Sequence, residues 1–154
     1  MNLFGILFLT IIIECVFGSW FGRSFRHLNI PRDTTYFDAG AYYQTGQNIV
    51  YARDKFGLRG RYKDPATIDF LTIGGSTTDQ RMITEGQTWQ DVMAGAFSSS
   101  GKQVSVVNAG IDGQSTIGHL YNFEAWFPLI PQLKAKYVIA YIGINDVHTH
   151  MEHS

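Results

Sequence analysis

The chain has a single cysteine, Cys15, which excludes an internal disulfide and a cysteine-ligated metal cluster. It is poor in charge: Asp, Glu, Lys and Arg make up 16% of it, against roughly 25% in an average soluble domain. Net charge is -1 and no basic stripe is present, so nothing electrostatic points to nucleic acid. Internal repeats and low-complexity tracts are missing too. Neither a Walker lysine nor Gly-x-Gly-x-x-Gly occurs, which counts against a nucleotide or flavin cofactor. What remains is 154 residues, 45% of them hydrophobic, enough for one packed domain and hardly two.

Charge is scarcest at the N-terminus. From residue 3 to residue 22 the only charged side chain is Glu14. About 20 apolar residues can cross a bilayer core, although an acid in mid-membrane costs a few kcal/mol. The run reads as a membrane anchor or as a signal peptide cleaved near Val16-Phe17-Gly18. A buried soluble helix is the plain alternative. Arg23, Arg26 and Arg32 follow the run and no Lys or Arg precedes it. By the positive-inside rule alone, the side that follows faces the cytoplasm.

Residues 1–22 are therefore set apart as signal peptide or anchor, 23–65 as a connecting region, and 66–154 as the main domain. Pro31 and Pro65 bracket the connection. It holds small and aromatic residues at Gly40, Tyr42, Tyr43 and Gly46, then the turn Phe56-Gly57-Leu58-Arg59-Gly60. It reads as a solvated linker with one packed turn.

The main domain alternates. Apolar runs at 68–73, 104–107 and 137–142 suit buried strands. Thr88 and Asp91 have capping-box spacing. Behind them Trp89, Val92, Met93, Ala96 and Phe97 recur at helical spacing, which predicts an apolar face against the core. Ser98-Ser99-Ser100-Gly101 ends that helix. Ser115 caps a second helix, with Ile117, Leu120 and Tyr121 on one face, and Pro128 and Pro131 end or kink it. Strand, helix, strand, helix, strand predicts a parallel sheet with helices on its faces.

Each strand ends in a polar, Gly-containing turn: Gly74-Gly75-Ser76-Thr77-Thr78, Asn108-Ala109-Gly110-Ile111-Asp112-Gly113, and Gly143-Ile144-Asn145-Asp146. The carboxyl edge of such a sheet is where ligands bind. Ser76, above that edge and at a helix start, is a candidate nucleophile, which needs a base. The transition state of acyl transfer needs donors for its oxyanion. Gly113 offers a backbone N–H that substrate can approach, Asn145 a side-chain amide, and Ser76 its own N–H. Taken alone, each turn is an ordinary loop. Their order along one edge is what carries the reading.

The three turns together resemble the SGNH hydrolase superfamily, the GDSL-like lipases and esterases. Ser76 falls at the nucleophile of the first block, Gly113 at the glycine of the second and Asn145 at the asparagine of Gly-x-Asn-Asp. Phe56-Gly57-Leu58-Arg59-Gly60 is similar to the segment before the first block in membrane-linked or secreted members. The likeness spans about residues 48 to 147. It implies a flavodoxin-like three-layer α/β/α sandwich with a parallel sheet, incomplete at the C-terminus here. It also implies hydrolysis of acyl esters, small-molecule, glycan or lipid, through a serine acyl-enzyme without metal or cofactor. The domain would be membrane-anchored or secreted, held at the membrane by residues 3–22 and extracytoplasmic, against the arginine count.

Two features depart from that pattern. Gly75 stands where the family has an acid. No Asp-x-x-His occurs in the sequence, so the family's base and orienting acid are expected outside it. His148, His150 and His153 sit on the last turn and beyond, where three histidines at close spacing also suggest weak metal binding. They read as a polar loop. His27 and His119 have no recognisable carboxylate neighbour, and Asp79 and Asp112 read as loop-capping acids. Two other functions stay open. One is a non-catalytic, membrane-tethered fragment or pseudoenzyme that binds acyl or glycan ligands. The other is a phosphate- or flavin-binding domain built on the hydroxyl-rich turn at Ser76.

Overall fold

The computed structural model describes residues 3–17, 30–38 and 48–148. Helix α1 spans Leu3–Phe17, and its side chains from Phe4 to Ile13 are exposed on every side. A helix that is apolar all round has no inward face to bury. Its 15 residues reach about 22 Å at 1.5 Å per residue, short of the roughly 30 Å hydrocarbon core. Among the described residues no helix is long and apolar enough to cross a membrane. The rest of the expected 3–22 run lies outside the described residues, as do Arg23, Arg26, His27, Gly40, Tyr42, Tyr43 and Gly46.

Strands β1 (Thr34–Asp38) and β2 (Asn48–Ala52) pair antiparallel, Thr34 opposite Ala52 and Asp38 opposite Asn48. Then come β3 (Ile68–Gly74), α2 (Ser76–Asp79), α3 (Trp89–Ser99), β4 (Val106–Asn108), α4 (Thr116–Tyr121) and β5 (Ala135–Tyr141). The main sheet is parallel, in the order β4-β3-β5, as the alternating pattern requires. Phe70 lies opposite Val106 and Tyr137, and Thr72 opposite Asn108 and Ile139.

Side chains alternate across a strand, and each sheet face has its own cover. Over the Phe70 and Thr72 face lies α3. Phe97 stacks on Phe70 with ring centroids 5.6 Å apart, and Gln90 Nε2 donates to Thr72 Oγ1 at 3.2 Å. On the other face Leu71, Ile73, Val107 and Ala109 pack with Leu58, Trp126, Phe127 and Ile130. Each aliphatic side chain fully removed from water there contributes about 1.5–3 kcal/mol. This is the three-layer arrangement read from the sequence.

The helix faces differ from the expectation. On α3 Val92 is exposed and Gln90 is buried. The sheet beneath carries Thr72 and the Thr78 carbonyl, and Gln90 bonds both. On α4 Ile117, Leu120 and Tyr121 face outward, while His119, and Asn122 just past the helix end, face in. Asn122 is drawn inward by a paired amide contact with Gln114, at 3.0 and 2.8 Å. β5, expected to be buried, is at least half exposed at Tyr137, Val138 and Tyr141. Among the described residues it forms one edge of the sheet, and the core packs beneath β3 and β4 instead.

The capping box forms as expected. Thr88 Oγ1 accepts from Asp91 N at 3.2 Å, and Asp91 Oδ2 accepts from Thr88 N at 3.0 Å. Thr88→Ala is expected to cost about 1 kcal/mol. Urea unfolding should show this as a lower midpoint at unchanged slope, because only a cap is lost.

Part of the expected linker is structural. Tyr51, Arg53, Leu58 and Arg59 are buried. Arg59 forms an antiparallel bridge with Asn108, and Trp126 Nε1 donates to the Phe56 carbonyl at 2.7 Å.

Candidate active site

β3 delivers the chain to the carboxyl edge at Gly74, and α2 starts at Ser76. α2 is a single turn whose N-cap, Gly75, makes no side-chain cap. Ser76 is exposed, and its hydroxyl and N–H make no hydrogen bond among the described residues. A Cβ at position 75 would press on the Asn145 carboxamide and push it aside.

Asn145 sits in the 3-10 turn Ile144–His148 that follows β5. Its Nδ2 donates to the Gln114 carbonyl at 3.0 Å, which leaves a second N–H on the same nitrogen. Gln114 directly follows Gly113, whose φ of +71° is the left-handed conformation that glycine adopts without penalty. The Gly113 N–H has no partner among the described residues. Gly75, Gln114 and Asn145 therefore meet at one point. Ser76 and Gly113 are the chain neighbours of two of them, and Asn145 is the third. Three successive strand ends contribute to one spot on the sheet edge.

The neighbouring residues hold this junction in place. Asp146 Oδ1 accepts from Thr116 N at 2.7 Å, and Thr116 Oγ1 donates to Asp146 Oδ2. The last turn thus binds the first amide of α4, where negative charge is favoured. Ser115 caps the same helix, as expected, accepting from Gly118 N. Asn108 Nδ2 donates to the Thr78 carbonyl at 2.6 Å, and its Oδ1 accepts from Gly110 N at 2.8 Å. Asn108 is the last residue of β4, and its position in that polar turn was the only sequence signal of this role.

Beside Ser76 a cleft of about 480 Å³ opens. Thr77, Met82 and Ile83 form its wall, and Arg81 and Asp112 stand at its polar end. Two larger clefts, of about 730 and 550 Å³, lie away from Ser76. Asp112 is exposed in its side chain, as a loop acid would be. Asp79 is buried and accepts from Tyr51 Oη at 2.7 Å and Arg53 Nη2 at 2.6 Å. No sequence signal pointed to the pairing with Arg53, because arginine on a connecting segment reads as surface charge.

No histidine is described in contact with Ser76. His148 closes the last turn, and His150 and His153 lie outside the described residues. His119 is buried, and neither ring nitrogen has a hydrogen-bond partner among the described residues. Burial lowers its pKa from 6.5, and nearby Asp146 pulls the other way. A His with a depressed folded pKa stabilises above the unfolded value of 6.5 and loses that stability as pH falls through the folded value. Melting temperature is expected to drop below pH 6.5, and His119→Gln to flatten that part of the profile. Thermal unfolding across a pH series measures both. Among the described residues no group of three or more His, Cys, Asp and Glu could hold a metal ion.

The fold and the strand-end residues define an open parallel α/β sheet with a polar carboxyl edge. Among solved structures, two variants of an esterase named AlinE4 resemble it. They are 23% and 21% identical, with TM-scores of 0.47 and 0.45, each match covering 54% of this chain and 43% of that one. The chain thus spans less than half the length of the esterase it matches. Neither a family model nor a curated protein matches the chain.

Proposed function

We propose that the chain carries the nucleophile and oxyanion half of an SGNH-type serine ester hydrolase. Ser76 Oγ attacks the ester carbonyl as a general base, expected outside this sequence, takes its proton. The N–H groups of Ser76 and Gly113 and the side-chain amide of Asn145 receive the oxyanion. The base returns the proton to the leaving alkoxide, which departs as alcohol while the acyl-serine forms, and water then hydrolyses the acyl-serine to the acid. What supports this reading is the meeting of Gly75, Gln114 and Asn145, with donors unpaired among the described residues beside an exposed serine. Preorganised donors of this kind commonly account for much of the rate enhancement in acyl transfer. The substrate is an acyl ester, small-molecule, glycan or lipid. The apolar run of residues 3–22 takes the domain to the membrane, as an anchor or as a cleaved signal peptide, with the domain on the extracytoplasmic side.

A second reading is a non-catalytic binder of acyl or glycan ligands. It is favoured by the Ser76 hydroxyl, which has no base bonded to it among the described residues. The two readings separate in an aryl-acetate assay run on this chain and on a version extended to carry an Asp-x-x-His segment. The hydrolase reading expects the extended protein to release product beyond one equivalent, saturably and dependent on Ser76. Binding of acetylated glycan or aryl ester by the extended protein with no release of alcohol would establish the binder instead.

A further inference from the structure

Residues 51–59, outside the main sheet, reach directly under the candidate site. The Arg53 side chain is fully buried. Its Nη2 donates to Asp79 Oδ1 at 2.6 Å and to the Gly110 carbonyl. Its Nη1 donates to the Gly57 carbonyl at 2.6 Å, and its Nε to the Tyr51 hydroxyl. Tyr51 in turn donates to Asp79 Oδ1 at 2.7 Å. The other oxygen of Asp79 accepts from Asp112 N at 3.2 Å.

Asp79 closes the single helical turn that Ser76 opens. Gly110 and Asp112 belong to the turn that carries Gly113. These two turns touch: a Cβ on Gly110 would lie 2.5 Å from Asp79 N. Arg59 finishes the enclosure, donating to the carbonyls of Asp79 at 2.6 Å, Gln80 at 3.0 Å and Ile83 at 2.6 Å. A helix of one turn cannot hold itself in water, so its geometry is imposed from outside.

We propose that Arg53, acting through Asp79, is a positioning residue that fixes the Ser76 turn against the Gly113 turn. The spacing between nucleophile and backbone oxyanion donor is then set by a segment outside the sheet. This rests on the hydrolase reading and extends it to residues 51–59. A planar guanidinium suits the task because its fork reaches the carboxylate, the Gly110 carbonyl and the Gly57 carbonyl at once. A lysine ammonium is a point charge on a flexible stem and does not reproduce the fork.

The test compares wild-type chain, Arg53→Lys, Tyr51→Phe and Ser76→Ala in reaction with a fluorophosphonate. The maximal inactivation rate and the half-saturating concentration are measured separately, well below each variant's melting temperature. A displacement of about 1 Å at a reacting group costs on the order of 10²-fold in rate. Arg53→Lys is expected to lose about that much in maximal rate, at unchanged half-saturation. Tyr51→Phe should lose less, in the same parameter only. A folded Arg53→Lys reacting at the wild-type maximal rate overturns the proposal. If Arg53→Lys does not fold, Tyr51→Phe decides in the same way. A wild-type chain that never reacts at Ser76 is a different result: it overturns the hydrolase reading, and the positioning role with it.

Discussion

Ser76→Ala is expected to lower kcat/KM for an aryl acetate by about 10³-fold or more in the protein extended to carry its general base, while leaving the fold intact. Losing a serine nucleophile removes the covalent route altogether, and what survives comes from binding and oxyanion donors. The stability half follows from the surroundings of Ser76. The side chain is exposed and its hydroxyl bonds nothing among the described residues. Surface substitutions of that kind stay within about 0.5 kcal/mol. Steady-state kinetics and a urea melt on the same preparation check both halves. A large rate loss with an unmoved melt is the signature of a residue present for chemistry.

Asn145→Ala is expected to lower kcat by about 10²- to 10³-fold, the usual cost of removing one oxyanion donor. Its effect on KM should be small, because the ground-state carbonyl carries less charge than the oxyanion. Asn145→Asp should be worse, since it sets a negative charge where negative charge develops. The structural cost of the alanine change is one hydrogen bond to the Gln114 carbonyl, about 1 kcal/mol. Comparing kcat, KM and the unfolding midpoint for the two variants separates a donor from a mere fastener of the turn. A fastener would lower the midpoint equally in both and leave their rates alike.

The strands and the caps were legible from the sequence because their signals are local. β-branched runs closed by glycine turns place β3, β4 and β5 within about two residues, and the capping box at Thr88 needs only its own spacing. The helix faces were legible only in part: Phe97 packs on the sheet as its spacing predicts, whereas Val92, Ile117, Leu120 and Tyr121 are exposed. Periodicity counts apolar residues, and it cannot register that Gln90 and Asn122 are drawn inward by specific polar partners. Arg53 and Arg59 were missed for the same reason, since the acids they pair with, Asp79 and Glu85, each lie 26 residues away and Gly110 lies 57 from Arg53. At the candidate site, each residue was flagged by its turn. That Gly75 lies against the Asn145 amide became readable only in the structure.

The most direct measurement is the location of the adduct after the full chain is treated with a fluorophosphonate and digested for mass spectrometry. A hydrolase of the proposed kind gives one adduct, on Ser76, and none in Ser76→Ala. An unmodified Ser76, or equal labelling of other exposed serines such as Ser98 and Ser99, would contradict it.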